Sequence, residues 1–173
     1  MMIRKAVEAD IAAVSDIYEA IHTVEENREK TIGWIRGVYP TEQTARDAWK
    51  KGELYVMERE GRVVAAAKIN QEQGEEYRDC PWRYDAPPQQ VLVLHTLVVD
   101  PAVKSQGCGS AFVAFYEDLA REMGCPYLRM DTNALNKPAR RLYAHLGYSE
   151  PGIVQCVFNG IPNVDLVCLE KKL

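Results

Sequence analysis

A long apolar segment followed by a glycine-containing loop constrains the fold of this chain more than any other feature. Val91–Val99 is apolar at all but two positions, which is typical of a strand buried on both faces of a sheet. The loop Lys104–Ser110 contains two glycines and precedes an amphipathic helix that ends near Gly124. The apolar residues of that helix are Phe112, Phe115, Leu119 and Met123. This succession of strand, loop and helix predicts an α/β protein.

Six more strands and four more helices are predicted around this unit. The strands are Met2–Val7, Leu54–Arg59, Val63–Ile69, Tyr127–Asp131, Gly152–Phe158 and Val164–Glu170. The helices are one that begins at Asp10, Thr31–Val38, one from Thr41 to Gly52, and Asn136–Leu146. Only two helices connect strands as crossovers, so the sheet is predicted to be mixed, with helices on both faces. A length of 173 residues favours a single domain, 1–173.

The charge balance argues against nucleic acid as a partner. Lys and Arg number 21 and Asp and Glu 25, so the net charge is −4, whereas nucleic-acid binders usually carry a basic excess. No apolar run approaches the ~20 residues of a membrane span. The first ten residues carry charges where a signal peptide has an apolar segment. We therefore expect a cytoplasmic protein with no membrane contact, and the sequence leaves a homodimer open.

The cysteines suggest neither a disulfide framework nor a metal site. They are odd in number, scattered, and form no C-x-x-C pair. The five are Cys80, Cys108, Cys125, Cys156 and Cys168. We expect reduced and mostly buried thiols, and no bound metal.

The loop Lys104–Ser110 is predicted to bind a phosphate or pyrophosphate. Helix N-termini present unpaired N–H groups and a partial positive charge, and glycine lets a phosphate approach the backbone closely. The segment lacks the G-x-x-x-x-G-K-[ST] pattern of a P-loop. It also lacks the third glycine of a dinucleotide-binding fingerprint, because Phe112 stands at that position.

Two blocks of sequence resemble the GCN5-related N-acetyltransferase (GNAT) family. Leu97–Pro101 followed by Lys104–Ser110 resembles the family's acetyl-CoA signature [RQ]-x-x-G-x-[GA], with Lys104 in the first place. Asp131–Asn136 followed by Ala139–Tyr148 resembles its N-x-x-A-x-x-L-Y-x-x-x-G-[FY] segment. The resemblance implies a single-domain GNAT-like fold: a mixed, mostly antiparallel sheet with a splayed central strand pair. It also implies direct transfer of an acetyl group from acetyl-CoA to a primary amine.

The resemblance also implies roles for individual residues. Backbone groups of the strand end would pair with the pantetheine arm, the loop N–H groups would hold the pyrophosphate, and Asn136 would contact the donor. The implied donor-binding residues are Leu97, Val98, Val99, Lys104, Ser105, Gln106, Gly107, Cys108, Gly109, Ser110, Asn136 and Tyr143. Tyr143 matches the family's general acid, which protonates the departing thiolate. A buried core tyrosine is the alternative reading of Tyr143.

The base that takes a proton from the amine is left open. His95 lies in the buried strand and has an ordinary pKa near working pH, although a core histidine is the alternative. Asp131 matches a position where some family members carry a catalytic glutamate, although it also suits a cap or loop carboxylate. Ordered water with no single essential base is a third reading. Cys108 is rejected as a nucleophile because it lies in the predicted phosphate loop.

Two segments, His22–Pro40 and Gln71–Gln90, are predicted to select the acceptor. Trp34, Tyr39 and Trp82 are the predicted substrate-binding residues. Glutamates in the two segments could attract a cationic amine; they are Glu25, Glu26, Glu29, Glu75 and Glu76. The expected acceptor is a small amine or an amino-acid derivative, and the alternatives are a protein N-terminus or a non-catalytic CoA-binding module.

Overall fold

A computed structural model describes residues 1–27 and 30–173. Within these residues the chain forms seven strands and four α-helices. The strands are β1 Met2–Lys5, β2 Leu54–Arg59, β3 Arg62–Asn70, β4 Val91–Val99, β5 Tyr127–Asn133, β6 Ser149–Phe158 and β7 Ile161–Lys172. The helices are α1 Asp10–Asn27, α2 Glu42–Lys50, α3 Cys108–Met123 and α4 Lys137–His145. None of the described helices is both long and apolar enough to cross a bilayer.

All seven strands form one sheet in the order β1-β2-β3-β4-β5-β7-β6. The pair β4–β5 is parallel and the other neighbours are antiparallel. The predicted mixed, mostly antiparallel sheet is confirmed. The predicted turns Glu60–Gly61 and Asn159–Gly160 have left-handed backbone at both residues, the conformation of a tight two-residue hairpin.

Helices cover both faces of the sheet, as predicted. On one face, Phe112, Val113 and Tyr116 of α3 pack against alternate residues of the central strands. On the other face, Ile11, Val14, Ile17, Tyr18 and Ile21 of α1 pack against Leu54, Val56, Ala66 and Val98. A further cluster on that second face lies under residues 77–86 and contains Val91 and Val93 of β4.

The predicted helix Thr31–Val38 is wrong. Residues 30–41 form a loop with an isolated bridge between Ile35 and Tyr39. The φ values of Gly33 and Gly37 are +77° and +76°, which a right-handed helix excludes. The loop is fixed by Glu25 of α1, whose carboxylate accepts the backbone N–H groups of residues 31–33.

A β-bulge in β4 changes which side chains face which way. Ala66 pairs with Val98 and Lys68 with His95, so two residues of β4, Thr96 and Leu97, oppose one residue of β3. Thr96 has a φ of +53°. Simple alternation along the strand predicts that His95 shares a face with Leu97 and Val99. That prediction is wrong, because the bulge shifts the alternation by one residue. Leu97 and Val99 pack on the α3 face instead.

Candidate active site

The central strands β4 and β5 separate at one end of the sheet. Their parallel pairing runs from Val91 opposite Tyr127 to Leu94 opposite Met130. Beyond that point β4 stays paired with β3 and β5 stays paired with β7. Among the described residues, β4 and β5 have no further paired residues after Leu94 and Met130. The backbone of β4 after Leu94 therefore faces a gap, which is the splayed pair that the sequence predicts.

A cavity of about 990 Å³ runs through this gap. Its lining brings together all three candidate catalytic residues, Tyr143, His95 and Asp131. Every candidate donor-binding residue except Gln106 also lines it. Sequence segments that are far apart in the chain thus meet at a single cavity.

The glycine loop forms one end of this cavity. A short 3-10 turn, Pro101–Val103, leads into the loop, and α3 begins at Cys108 directly after Gly107. Gly107 has a φ of +80°, and a Cβ built on it would meet no atom within 4 Å. A helix leaves its first four N–H groups without internal partners. The first residues of α3, Cys108, Gly109 and Ser110, all line the cavity, so these groups are available to a ligand there.

The polar residues around the loop take different positions. Lys104 is exposed, lines the cavity, and forms no ion pair with a described residue. Gln106 points away and accepts a hydrogen bond from Arg59. Cys108 lines the cavity, yet it is buried among core residues. Asn136 caps α4, because its Oδ1 accepts the N–H of Ala139 at 3.2 Å.

Tyr143 reaches the gap from the α3 face of the sheet. It lies on α4, is 7% exposed, and packs edge-on against Tyr148. No group in residues 1–27 and 30–173 forms a hydrogen bond with its hydroxyl. Burial raises the pKa of Tyr143, and the nearby Asp131 carboxylate raises it further. The phenol is therefore fully protonated at neutral pH.

Asp131 reaches the gap from the opposite face. Leu128 and Met130 of β5 point into the α3 cluster, so Asp131, one residue later, points to the other face. Its Oδ2 accepts a hydrogen bond of 2.6 Å from the hydroxyl of Tyr77. Burial raises the pKa of the Asp131 carboxyl to about 7, although the Tyr77 hydrogen bond acts in the opposite direction.

Asn70 fixes the tautomer of the His95 ring, and burial keeps the ring neutral. Asn70 Nδ2 donates to Glu53, so Asn70 Oδ1 faces His95 Nε2 at 2.9 Å and also accepts the N–H of Glu72. Because that oxygen can only accept, His95 Nε2 carries the proton. Burial, with a contribution from the positive charge of Lys68, lowers the pKa of His95 to about 4.

Two of the three predicted acceptor residues line the cavity. Trp34 and Tyr39 lie in the loop 30–41 and pack edge-on against each other. The hydroxyl of Tyr39 forms a hydrogen bond with Thr96 at the bulge. Gly33 in the same loop lies so close to β5 that a Cβ on it would be 2.7 Å from Asn133 Nδ2.

Trp82 is not brought to the cavity. Its indole Nε1 donates to the carbonyl of Tyr77 at 2.8 Å, and its ring lies under the guanidinium of Arg129 at 4.3 Å. The expectation that Trp82 forms a wall for the acceptor is thus replaced by a packing role. Two residues of the same segment are more central, because Glu76 lines the cavity and the hydroxyl of Tyr77 binds Asp131. Thr96 also lines the cavity, and no feature of the sequence predicts it there.

The glutamates of the two acceptor segments divide into three groups. Glu25 binds backbone N–H groups, and Glu26 forms an ion pair with Arg36. Glu75 and Glu76 line the cavity, as does Glu25. Glu29 lies outside the described residues.

Comparison with known proteins identifies the family. The family model "Acetyltransferase (GNAT) family" matches residues 13–148, which include the loop, the gap and the helix of Tyr143. The chain belongs to the GNAT family. It is an acetyltransferase by family, and the family uses acetyl-CoA as the acetyl donor.

The relatives of this GNAT chain are distant in sequence. An uncharacterised N-acetyltransferase from Methanocaldococcus jannaschii is 27% identical over 77 residues, which are 44% of this chain and 34% of that protein. The chain thus matches about a third of the length of this curated relative.

Solved structures share the whole fold. A GNAT acetyltransferase from Streptococcus agalactiae has a TM-score of 0.80 at 21% identity, covering 99% of this chain and 95% of the other. A protein assigned as an acetyltransferase from Salmonella typhimurium, solved with its cofactor acetyl-CoA, has a TM-score of 0.70 at 23% identity, covering 100% and 94%.

The residues of this GNAT site suit acetyl-CoA. The open cradle at Gly107, which a Cβ would partly fill, suits a phosphate that contacts backbone N–H groups. The unpaired edge of β4 suits an arm with amide groups that can pair with a strand. The cavity volume of about 990 Å³ leaves room for both a donor arm and an acceptor.

Proposed function

We propose that this protein transfers the acetyl group of acetyl-CoA directly to the primary amine of a small molecule or amino-acid derivative. One observation carries the proposal. A protonated phenol, Tyr143, and a carboxylate with a pKa of about 7, Asp131, reach the same gap from opposite faces of the sheet. Proton removal from an amine and proton delivery to a leaving group are thereby separated in space.

The donor would be held mainly by backbone groups. The N–H groups of Ser105–Ser110 would contact the pyrophosphate, and Lys104 would add a positive charge beside it. The β4 edge at Leu97 and Val99 would pair with the pantetheine arm, and Asn136 would contact the same arm. Acetyl-CoA supplies an activated thioester and a leaving thiolate.

The protein's contribution to chemistry is the movement of two protons. The Oδ1 of Asp131 takes a proton from the acceptor ammonium, so the amine becomes nucleophilic. The hydroxyl of Tyr143 gives its proton to the departing sulfur, and the second proton that the nitrogen loses as the amide forms returns to the Tyr143 phenolate. His95 is unsuited to the first step, since Nε2 already donates to Asn70 and its pKa of about 4 makes Nδ1 a weak base. This choice between the two candidate bases rests on geometry and pKa together.

The acceptor side of the cavity favours a small cationic amine. Trp34, Tyr39 and Phe158 supply aromatic walls on the face of the sheet that carries Asp131. Glu76 lies on the same side and forms no ion pair with a described residue. The loop 30–41 approaches β5 at Gly33 and Asn133, which narrows this side of the cavity and disfavours a protein N-terminus.

A panel of amines tests the proposal. Purified protein is incubated with acetyl-CoA and, separately, with diamines, polyamines, α-amino acids and peptides whose single amine is the N-terminus. CoA release is followed together with mass spectrometry of the acetylated product, and acetyl-CoA alone is the control. Turnover on amines or amino acids is the expected result. Turnover on peptides only would overturn the small-molecule acceptor, and acetyl-CoA binding without any turnover would indicate the non-catalytic module.

A further inference from the structure

The segment Gln71–Gln90 is fixed against the sheet by buried polar contacts. The guanidinium of Arg129 on β5 donates to Gln73 Oε1 at 2.6 Å and to the carbonyl of Tyr84 at 2.8 Å. Glu170 on β7 accepts the backbone N–H of Arg83 at 2.6 Å. Arg129 and Glu170 are both buried. Two buried charged side chains therefore fix this segment near its start, at Gln73, and in its second half, at Arg83 and Tyr84.

These contacts place the Tyr77 hydroxyl at Asp131. Tyr77 is 3% exposed and packs against Val91 and Val93 of β4. Its ring meets Trp82 edge-on at 5.2 Å, and Trp82 Nε1 binds its carbonyl. Backbone and ring are thus both held, and the hydroxyl donates to Asp131 Oδ2 at 2.6 Å.

We propose that Tyr77 is a positioning residue that fixes Asp131 through Oδ2 and leaves Oδ1 directed into the cavity for the acceptor. This inference rests on the proposed function, because it assigns a role to the partner of the proposed base. It also gives the segment Gln71–Gln90 a task other than lining the acceptor pocket. The hydroxyl does not touch the acceptor, so Tyr77 acts only through Asp131.

The titratable groups around Asp131 determine how much Tyr77 can change the pKa of Asp131. Glu76 is the charged neighbour and opposes ionisation of Asp131. The other titratable neighbours are Tyr39, Tyr77, Tyr143, Cys156 and Cys168. Burial raises the pKa of the three tyrosines and of Cys156. The hydrogen bond with Cys80, together with burial, raises the pKa of Cys168, so all of these neighbours are neutral at pH 7. A hydrogen bond donated by neutral Tyr77 is therefore the main local stabilisation of the Asp131 carboxylate.

Removal of the hydroxyl should raise the pKa of Asp131. A hydrogen bond to a charged group stabilises it enough to shift a titration by about one pH unit or more. In Tyr77→Phe the carboxylate forms at higher pH, so the acid limb of kcat/KM moves upward by about one pH unit. At a fixed pH on that limb, kcat/KM falls roughly tenfold.

An NMR titration tests this without any acetyl transfer. Protein labelled with ¹³C at the aspartate side-chain carboxyl is titrated from acid to alkaline pH, and Asp131→Asn assigns the Asp131 signal. The expected midpoint near pH 7 rises by about one pH unit in Tyr77→Phe. It stays in place in Tyr84→Phe, since the Tyr84 hydroxyl on the same segment forms no hydrogen bond with a described residue. An unchanged midpoint in Tyr77→Phe would overturn the proposal.

Kinetics and a second variant complete the test. With the best amine of the panel, the acid limb of kcat/KM in Tyr77→Phe should follow the NMR midpoint, with the KM for acetyl-CoA unchanged. If the titration midpoint of Asp131 moves but the acid limb of kcat/KM does not, the kinetic role of Tyr77 and Asp131 is overturned. Trp82→Phe leaves the hydroxyl of Tyr77 in the protein but removes the hydrogen bond from Trp82 Nε1 to the Tyr77 carbonyl. It should shift the midpoint in the same direction by less, and this variant decides the question should Tyr77→Phe not fold.

Discussion

At the scale of single residues, the site depends on how burial shifts the pKa values of two acid–base groups, Tyr143 and Asp131. Burial raises the pKa of the Tyr143 phenol, which keeps its proton available. The same effect raises the pKa of Asp131 only to about 7, because Tyr77 donates to its carboxylate. One group is thus a proton donor at neutral pH and the other is balanced between donor and acceptor.

Tyr143→Phe should lower kcat about 100-fold, because general acid catalysis contributes roughly 10²–10⁴. The ring keeps its contacts with Tyr148, so the dissociation constant of acetyl-CoA should change by less than about twofold. Steady-state kinetics and calorimetry measure the two quantities. Unchanged kcat would remove Tyr143 as the acid.

Asp131→Asn and His95→Gln separate the two candidate bases by pH dependence. Asp131 must lose its proton to act, so kcat/KM of the native protein should rise with pH through about 7. Asp131→Asn should lose this limb and most of the activity. His95→Gln should keep the limb, because a group with a pKa of about 4 does not titrate near pH 7. The value of kcat/KM should fall by less than about threefold in this variant. The opposite ranking of the two variants would transfer the base role to His95.

The residues of the cavity could be predicted from sequence where a motif or strand phase places them. Tyr143 and the glycine loop are such cases. Trp82 and Tyr77 are not, because their positions depend on Arg129 and Glu170, which are far away in sequence. An aromatic residue in a long loop gives no signal of the side chain that it will meet.

At the scale of elements, the N-terminus of α3 is the predicted phosphate site, and Gly107 is its most direct test. Gly107→Val forces a branched side chain into left-handed backbone and into the open cradle. We expect acetyl-CoA affinity to fall at least tenfold, as measured by calorimetry. Gly124→Val at the other end of α3 is a matched control, because Gly124 also has positive φ and open space.

Both glycine variants should lose similar stability, about 1–2 kcal/mol from backbone strain. Equal loss of acetyl-CoA affinity in the two would show that strain alone weakens binding. Gly109→Val is less decisive, because a Cβ there lies 3.3 Å from Leu142 and disturbs the contact with α4. Gly107→Val therefore tests the cradle with the fewest side effects.

The loop 30–41 depends on Glu25, which is 5% exposed. Glu25→Gln replaces an acceptor oxygen with an amide that repels the N–H groups of the loop. We expect a loss of about 2 kcal/mol of unfolding free energy and a higher KM for the amine, with acetyl-CoA affinity kept. Glu26→Gln, next to it, weakens only an exposed ion pair with Arg36 of the same loop and should change both quantities much less. A normal KM for the amine in Glu25→Gln would separate this loop from acceptor binding.

Most elements could be predicted from apolar periodicity and turn residues, and two failures have clear physical causes. The sequence predicts a short helix at Thr31–Val38 that ends near Pro40, but hydrogen bonds to Glu25 and left-handed glycines determine a loop instead. The bulge at Thr96 could not be predicted, because an almost wholly apolar strand carries no alternation that would reveal a shift of one residue.

At the scale of the whole molecule, the sheet itself creates the site. Crossover through α3 makes β4 and β5 parallel, and their separation after Leu94 opens a cavity between the two faces. One side of the cavity carries α3 and α4, where we propose that the donor binds. The other side carries the loop 30–41, where we propose that the acceptor binds. The net charge of −4 does not oppose a polyanionic donor under the proposed binding mode, in which backbone N–H groups would bind it locally.

A crystal structure of the complex with CoA tests this account most directly. We expect the phosphates at the N–H groups of Gly107–Ser110 and the pantetheine arm along β4 between Leu97 and Val99. The CoA sulfur should lie within hydrogen-bond distance of the Tyr143 hydroxyl, with the Asp131 carboxylate on the opposite face of the gap. CoA bound outside the β4–β5 gap, or a sulfur remote from Tyr143, would contradict the account.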